Sequence, residues 1–443
     1  MLLSRKIFSV LSFTLLSACV GHGGNPASTK DSSDQQSGMG QINSLEFSRN
    51  DGLPLVSAIA GNARVVSFGE AHHTVGGYHR LMAIGVRQLI ENNGFRNVAI
   101  ETPWKFAENL DSYVKSCDQT SSLFAMQTIF RQFASQELVE LFEWIRERNC
   151  QQEAIPVSIY GFDVQESHLR LWYEPNRFNF LLPTIKSYYD QTPALQQVVS
   201  VSSLNLCGQS SNSDTVILSN DAQLSKCHNA LARFGSYIND HESEIIDHLG
   251  RKQYNHLRYT LISLWANSAQ RPLTGNENQA LRGGLRDQGM AKLFAAQFKD
   301  RGSQKTVVLG HIGHLSKTSS SFMPWSYEPK NLGAYLTDAY GDSYKAIGLI
   351  ANRYESHDWH HERNEPYTPS DQSVEGVLAN YSTNSMGVVL DFSRSRLFPN
   401  QDFNSREIVG LPIAGQLRSN FDGIIYIHDA WKMGLINGVI YQN

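Results

Sequence analysis

The sequence predicts an α/β fold: a central mixed or mostly parallel sheet flanked by helices, with an inserted helical subdomain. Seven short apolar runs, at residues 64–68, 97–100, 156–160, 306–309, 345–350, 387–392 and 423–428, read as buried strands. Helical patterns separate several of these runs, which argues for a sheet covered on both faces. Residues 166–295 read mostly as helix, with a polar stretch near 208–222. They predict an insertion that covers the sheet edge.

The elements follow in order. Arg5 and Lys6 form a positive n-region, and residues 7–16 form an apolar stretch too short to span a bilayer. Leu16-Ser17-Ala18-Cys19 resembles a bacterial lipobox. That resemblance makes residues 1–18 a lipoprotein signal peptide and Cys19 the lipidated first residue; the plainer reading is a secretory signal cut near Ala18. Val20 follows, not aspartate, which by resemblance to enteric lipoproteins places the chain at the outer membrane facing the periplasm. Residues 19–45 read as the lipidated cysteine and a polar, disordered tether, and residues 46–443 as one catalytic domain. In an oxidising compartment the four remaining cysteines can pair. Nearness in sequence favours Cys117–Cys150 and Cys207–Cys227, one of three connectivities. Within the domain, a helix over residues 78–93 carries Leu81, Ile84, Gln88 and Leu89 near one face and ends at Gly94. A second, over residues 135–148, carries Leu138, Leu141, Phe142 and Ile145 at helical spacing.

The 443 residues are 41% hydrophobic and 18% charged, which allows a large core. The 38 basic and 42 acidic residues give a net charge of −4. With no long basic run, a nucleic-acid partner is unsupported. No Gly-x-Ser-x-Gly elbow, P-loop or dinucleotide fingerprint stands out.

Ionisable residues collect at strand ends, where ligands sit in open α/β sheets. Glu70, His72 and His73 follow the first strand, and Glu101 follows the second. Asp163 and Gln165 follow the third, His311 and His314 the fourth, and His428 and Asp429 end the last. Parallel strands would bring these groups to one cleft.

The ordered motifs resemble the erythromycin esterase family. Gly69-Glu70-Ala71-His72-His73 is similar to its Gly-Glu-Ala-x-His loop, and Gly94 to Glu101 to its strand ending in glutamate. Glu137, Gly161-Phe162-Asp163, Arg286-Asp287 with Met290-Ala291, His311-x-x-His314 and Phe421-Asp422-Gly423 continue the series. The chain departs from the family pattern at His72, at Gly77 and around His311, positions that surround the pocket. The resemblance implies a hydrolase acting on ester or lactone bonds without a cofactor.

The residues take roles accordingly. His73 is the expected general base, since a neutral imidazole can take a proton from water near pH 7. Glu70 or Glu101 would orient it. Glu101 needs a partner if buried, either Arg286 or a histidine. Arg286 would hold a carboxylate or join His311 in stabilising an oxyanion. His314, Asp163 and His72 are expected to contact a small ester or lactone substrate. Two other readings stand beside this one: a metal-dependent hydrolase, with peptides among its candidate substrates, drawing ligands from the same histidines and glutamates, and a non-catalytic lipoprotein that binds a ligand. The His357–Glu362 cluster reads as a solvated loop.

Overall fold

The computed structural model describes residues 38–49, 52–118, 125–126, 129, 131–151, 155–165, 187–200, 202–204, 221–270, 278–319, 329–357, 370–398, 407–408, 411–412 and 417–436. The first half runs β1 (Met39–Ile42), α1 (Val56–Ala60), β2 (Val65–Glu70), α2 (Gly76–Asn93), β3 (Asn97–Pro103), α3 (Trp104–Lys115), α4 (Gln136–Gln151) and β4 (Ser158–Asp163). Helices follow: α5 (Pro193–Val198), α6 (Asp221–Asp240), α7 (Glu242–Leu249), α8 (Arg251–Gln270) and α9 (Gln279–Asp300). The chain then returns to the sheet through β5 (Thr306–His311), α10 (Ile312–Leu315), α11 (Leu332–Tyr340), β6 (Tyr344–Tyr354), α12 (Val374–Tyr381) and β7 (Gly387–Asp391). A small hairpin of β8 (Glu407–Ile408) and β9 (Leu411–Pro412), the turn α13 (Leu417–Asn420) and β10 (Gly423–Ala430) complete it.

The main sheet has the order β1-β7-β10-β6-β2-β5-β3-β4. From β10 to β4 every pairing is parallel, while β7 is antiparallel to both of its neighbours. All seven expected strands are present. The expected tether stops short, because Met39–Ile42 pairs with β7 as an edge strand. Those four residues contain no apolar run, which is why the sequence did not announce them. The described parts of 166–295 are helical as expected. Among them α8 packs on α9 and reaches α3 through Trp104, whose ring meets His256 and Tyr259. The Cys117–Cys150 disulfide ties the end of α3 to the end of α4. Cys227 is also disulfide-bonded, and Cys207 lies outside the described residues, as do residues 1–37 with the expected signal peptide and Cys19.

Successive residues of a strand face opposite sides, and β2 uses both. Phe68 meets Gly85 of α2 on one face, and Gly69 meets Ile312 of α10 on the other. Gly69 is level with Gly310 of β5 and Gly348 of β6, so three glycines form a row across adjacent strands. A Cβ on Gly69 would sit 2.8 Å from the Ile312 Cα, and one on Gly348 3.0 Å from its Cδ1. The missing side chains let α10 lie directly on the sheet, and α10 fixes His311 and His314 at the rim.

Gly69→Ala should therefore overpack this contact and lower stability in chemical denaturation, by about 1–3 kcal/mol. Gly235→Ala, in an open position of α6 with nothing near its added methyl, should be neutral or stabilising by up to about 1 kcal/mol.

Candidate active site

Strand register builds the site. Glu70 is paired with His311 across β2 and β5. On the other side of β5, Ile100 is level with Leu309, so Glu101 falls beside Gly310. Asp163 ends β4 next to the β3 bulge between Ile100 and Pro103. Five expected residues from four strand ends thus stand at one rim: Glu70, His73, Glu101, Asp163 and His311.

Glu70 is fully buried, and its Oε1 accepts a 2.7 Å hydrogen bond from Nδ1 of His73. Burial pushes the Glu70 carboxyl up, but the two histidines on it, His73 and His79, outweigh burial and hold it below the usual range. His73 is the mirror case. Burial pushes its imidazole down, while the bond and charge of Glu70 and the charge of Glu101 raise it above its ordinary value. Its side chain is 37% exposed, so it is the member of the pair that a substrate can reach. The residue after it, Thr74, holds a left-handed backbone at φ 64°, a strained conformation for a β-branched residue. Thr74 is held by its hydroxyl, which donates to the His357 carbonyl, and by its own carbonyl, which accepts from Met433 N–H.

The His311 ring lies 5.0 Å from the His73 ring, centroid to centroid. Its Nδ1 accepts from Gly313 N–H at 3.1 Å, so in the neutral ring the proton sits on Nε2. Burial, with the charge of a protonated His73, pushes its pKa down to about 3. His311 is therefore a neutral donor at physiological pH.

Arg286, from α9, ties the rest together. Its guanidinium donates to Glu101 Oε1 at 2.7 Å, to both Asp163 oxygens at 3.2 and 2.7 Å, and to His314 Nε2 at 2.8 Å. Burial opposes its charge, but Asp163 and Glu101 raise its pKa well above the usual value. Burial likewise opposes the Glu101 charge, and Arg286 with the His311 N–H hold that carboxyl far below the carboxylate range. Glu101 Oε2 accepts the His311 N–H at 2.7 Å. Because Arg286 accepts no proton and binds His314 Nε2, that histidine donates from Nδ1 to Asp287 at 2.9 Å.

Arg286 takes one of its two expected roles, holding carboxylates, while the contacts of Asp163, His314 and His72 differ from those expected. Arg286 is committed to carboxylates and His314, and is placed as a scaffold instead of an oxyanion donor. Asp163 and His314 are buried behind it and fully bonded, so they support the rim and do not face substrate. His72 donates from Nδ1 to the His73 carbonyl at 2.9 Å and packs on the Tyr354 ring, beside the cleft. His428 and Asp429 leave the cluster altogether: His428 bonds Ser382 and Tyr426, and Asp429 pairs with Arg353. Gln165 only donates its backbone N–H to Asp163. Residues 358–362 of the second histidine cluster lie outside the described residues. Among the described residues, no group of three or more His, Cys, Asp and Glu is placed to hold a metal ion.

Two further residues belong here: Asp287, which the sequence offers only as the motif partner of Arg286, and His79. Asp287 anchors His314 and accepts from Leu332 N–H; burial raises its carboxyl despite His314 and Arg286. His79, on the buried face of α2, reaches Glu70 Oε2 at 3.3 Å. Its only sequence signal was a histidine on an otherwise apolar helix face.

The erythromycin esterase family model matches residues 90–430, a span that begins after the Glu70–His73 loop. Similar solved structures include a Bacillus cereus protein, 18% identical with a TM-score of 0.71 over 90% of this chain and 97% of that one. A succinoglycan biosynthesis protein is 16% identical with a TM-score of 0.67 over 94% and 100%. The erythromycin esterase EreC, as a mutant in its open conformation, is 15% identical with a TM-score of 0.61 over 90% and 99%. At these identities the structures share the fold.

Removing Arg286 leaves buried carboxylates unpaired. Arg286→Met should lower stability by about 3–5 kcal/mol at pH 7, measured by urea unfolding. The sign with pH follows from Glu101, whose folded pKa is depressed below the ordinary 4.5. Its contribution is present above pH 4.5 and fades as pH falls below it, so the gap between wild type and variant should narrow there.

Proposed function

The chain belongs to the erythromycin esterase family, which implies a hydrolase, and from that premise we propose that it cleaves an ester or lactone bond with water activated by His73. The carrying observation is the Glu70–His73 pair with the neutral His311 ring 5.0 Å away. With the Nδ1 proton given to Glu70, Nε2 of His73 is the basic position. It takes a proton from water as the water oxygen bonds to the carbonyl carbon. The tetrahedral oxyanion that forms is met by the Nε2 proton of His311, a donor that needs no charge. The carbon–oxygen bond to the leaving group then breaks, and imidazolium His73 returns its proton to the departing alkoxide. The products are a carboxylic acid and an alcohol, joined in one molecule if the substrate is a lactone. Glu70 stabilises the imidazolium between these steps, and Arg286 keeps Glu101 and the His311 backbone in place.

The Cys19 lipobox supports a lipid-anchored, extracytoplasmic location for this chemistry. Strand direction adds a consequence. Met39 of β1 is level with Leu390, near the end of β7 where β10 begins, the pole opposite the cleft. A tether joined there meets the domain at the pole away from the rim. Mass spectrometry of the protein from bacterial membranes should find a diacylglyceryl-modified Cys19 as the first residue, and Cys19→Ala should release the protein from the membrane fraction.

His73→Ala should keep the fold and lose about 10²–10⁴-fold in kcat/KM on a panel of p-nitrophenyl esters and macrocyclic lactones. Chelator treatment should leave the wild-type rate unchanged. A folded His73→Ala protein with full turnover would falsify the assignment, and loss of activity on chelation, restored by a divalent ion, would favour a metal-bound water.

A further inference from the structure

We propose that His79 is a positioning residue that acts on His73 through Glu70. The inference rests on the reading of His73 as the base. His79 projects from α2 into the core with no exposed surface, and Glu70 is equally buried. The carboxylate stands between two imidazoles, with Oε1 on His73 at 2.7 Å and Oε2 facing His79 Nε2 at 3.3 Å. The second contact is at ion-pair distance but is not aligned as a full hydrogen bond, and neither ring nitrogen of His79 has another hydrogen-bond partner among the described residues. Buried polar groups are seldom left this way without a role. Phe133 completes the arrangement: its ring stacks on His79 at 5.9 Å and meets His73 edge-on at 6.1 Å. One aromatic ring thus packs against both imidazoles that share the carboxylate.

The direction of the effect does not depend on how many protons His79 carries. A neutral N–H donor or a cation beside Oε2 stabilises the Glu70 anion by itself. Glu70 then draws less on the proton of His73. Without His79 the whole carboxylate charge serves His73, which holds its proton more tightly. The other groups that face His73 are Glu101 of β3, His311 of β5 and Arg286 of α9, and Tyr78 also faces Glu70. All of these remain when His79 is replaced, so the difference isolates its contribution. His79 keeps the base from being locked as an imidazolium.

The test is an NMR titration of the full chain with histidine-selective ¹⁵N labelling, the His73 signals being those absent from His73→Gln. In His79→Leu the His73 midpoint should rise by about half a pH unit or more. His79→Asn keeps an N–H donor at that place and should return most of the shift. His79→Phe, which can still stack on Phe133, should behave as the leucine variant and serves if that one does not fold. An unchanged or lowered midpoint in the apolar variants overturns the proposal, as does an asparagine variant indistinguishable from them. A merely structural role would lower the melting temperature and leave the midpoint in place. p-Nitrophenyl acetate hydrolysis by the same proteins separates the two claims. A midpoint that moves in a protein whose turnover is indifferent to His73 leaves the coupling standing and removes the catalytic role.

Discussion

Four carboxylates buried near one rim of the sheet, Glu70, Glu101, Asp163 and Asp287, constrain everything around them. None can stay charged in that position without a cation or an N–H on its oxygens. Arg286 meets Glu101 and Asp163 together, His314 meets Asp287, and His73 and His79 share Glu70. The geometry of the rim is a by-product of that pairing. His311 stands where it does because Glu101 grips its backbone N–H, and His73 is turned as it is because its Nδ1–H donates to Glu70. A side chain buried behind the rim can therefore control a group exposed on it.

Much of this was legible in the sequence. Short apolar runs give strands whatever their neighbours do, so all seven expected strands appear. A strand ending in glutamate announces a carboxylate at the cleft, and Glu70, Glu101 and Asp163 all arrive there. Sequence is a weaker guide where the outcome depends on partners distant along the chain. His428 ends a parallel strand like the others, yet its ring bonds Ser382 and Tyr426 and leaves the rim. Arg286, His314 and Asp163 were rightly grouped, but only three-dimensional contacts show that they are bonded to one another and closed to substrate. His79 was invisible because a histidine inside an apolar helix face is ordinary until the group opposite it is known. β1 was missed for a different reason: an edge strand draws its stability from the neighbour it pairs with and needs little apolar character of its own.

In this chain Gly69, Gly310 and Gly348 form a row across three strands, and α10 is laid on it. A helix can be laid on a sheet, with its histidines at the rim, wherever backbones approach this closely, and that requirement constrains few positions. The surroundings of the loop are free to differ. In this chain His72 packs on Tyr354, and Gly77 lies against Ala430.

The central claim is that Glu70 tunes His73 as the base that activates water. The most direct measurement is the pH dependence of kcat/KM for p-nitrophenyl acetate in wild type and Glu70→Gln. His73 is raised above its ordinary 6.5 by Glu70, so the wild-type rate should fall as pH drops through a midpoint above that value. Glu70→Gln removes the raising charge and should move the midpoint down while lowering the plateau. An acid limb at the same pH in both proteins would contradict the account.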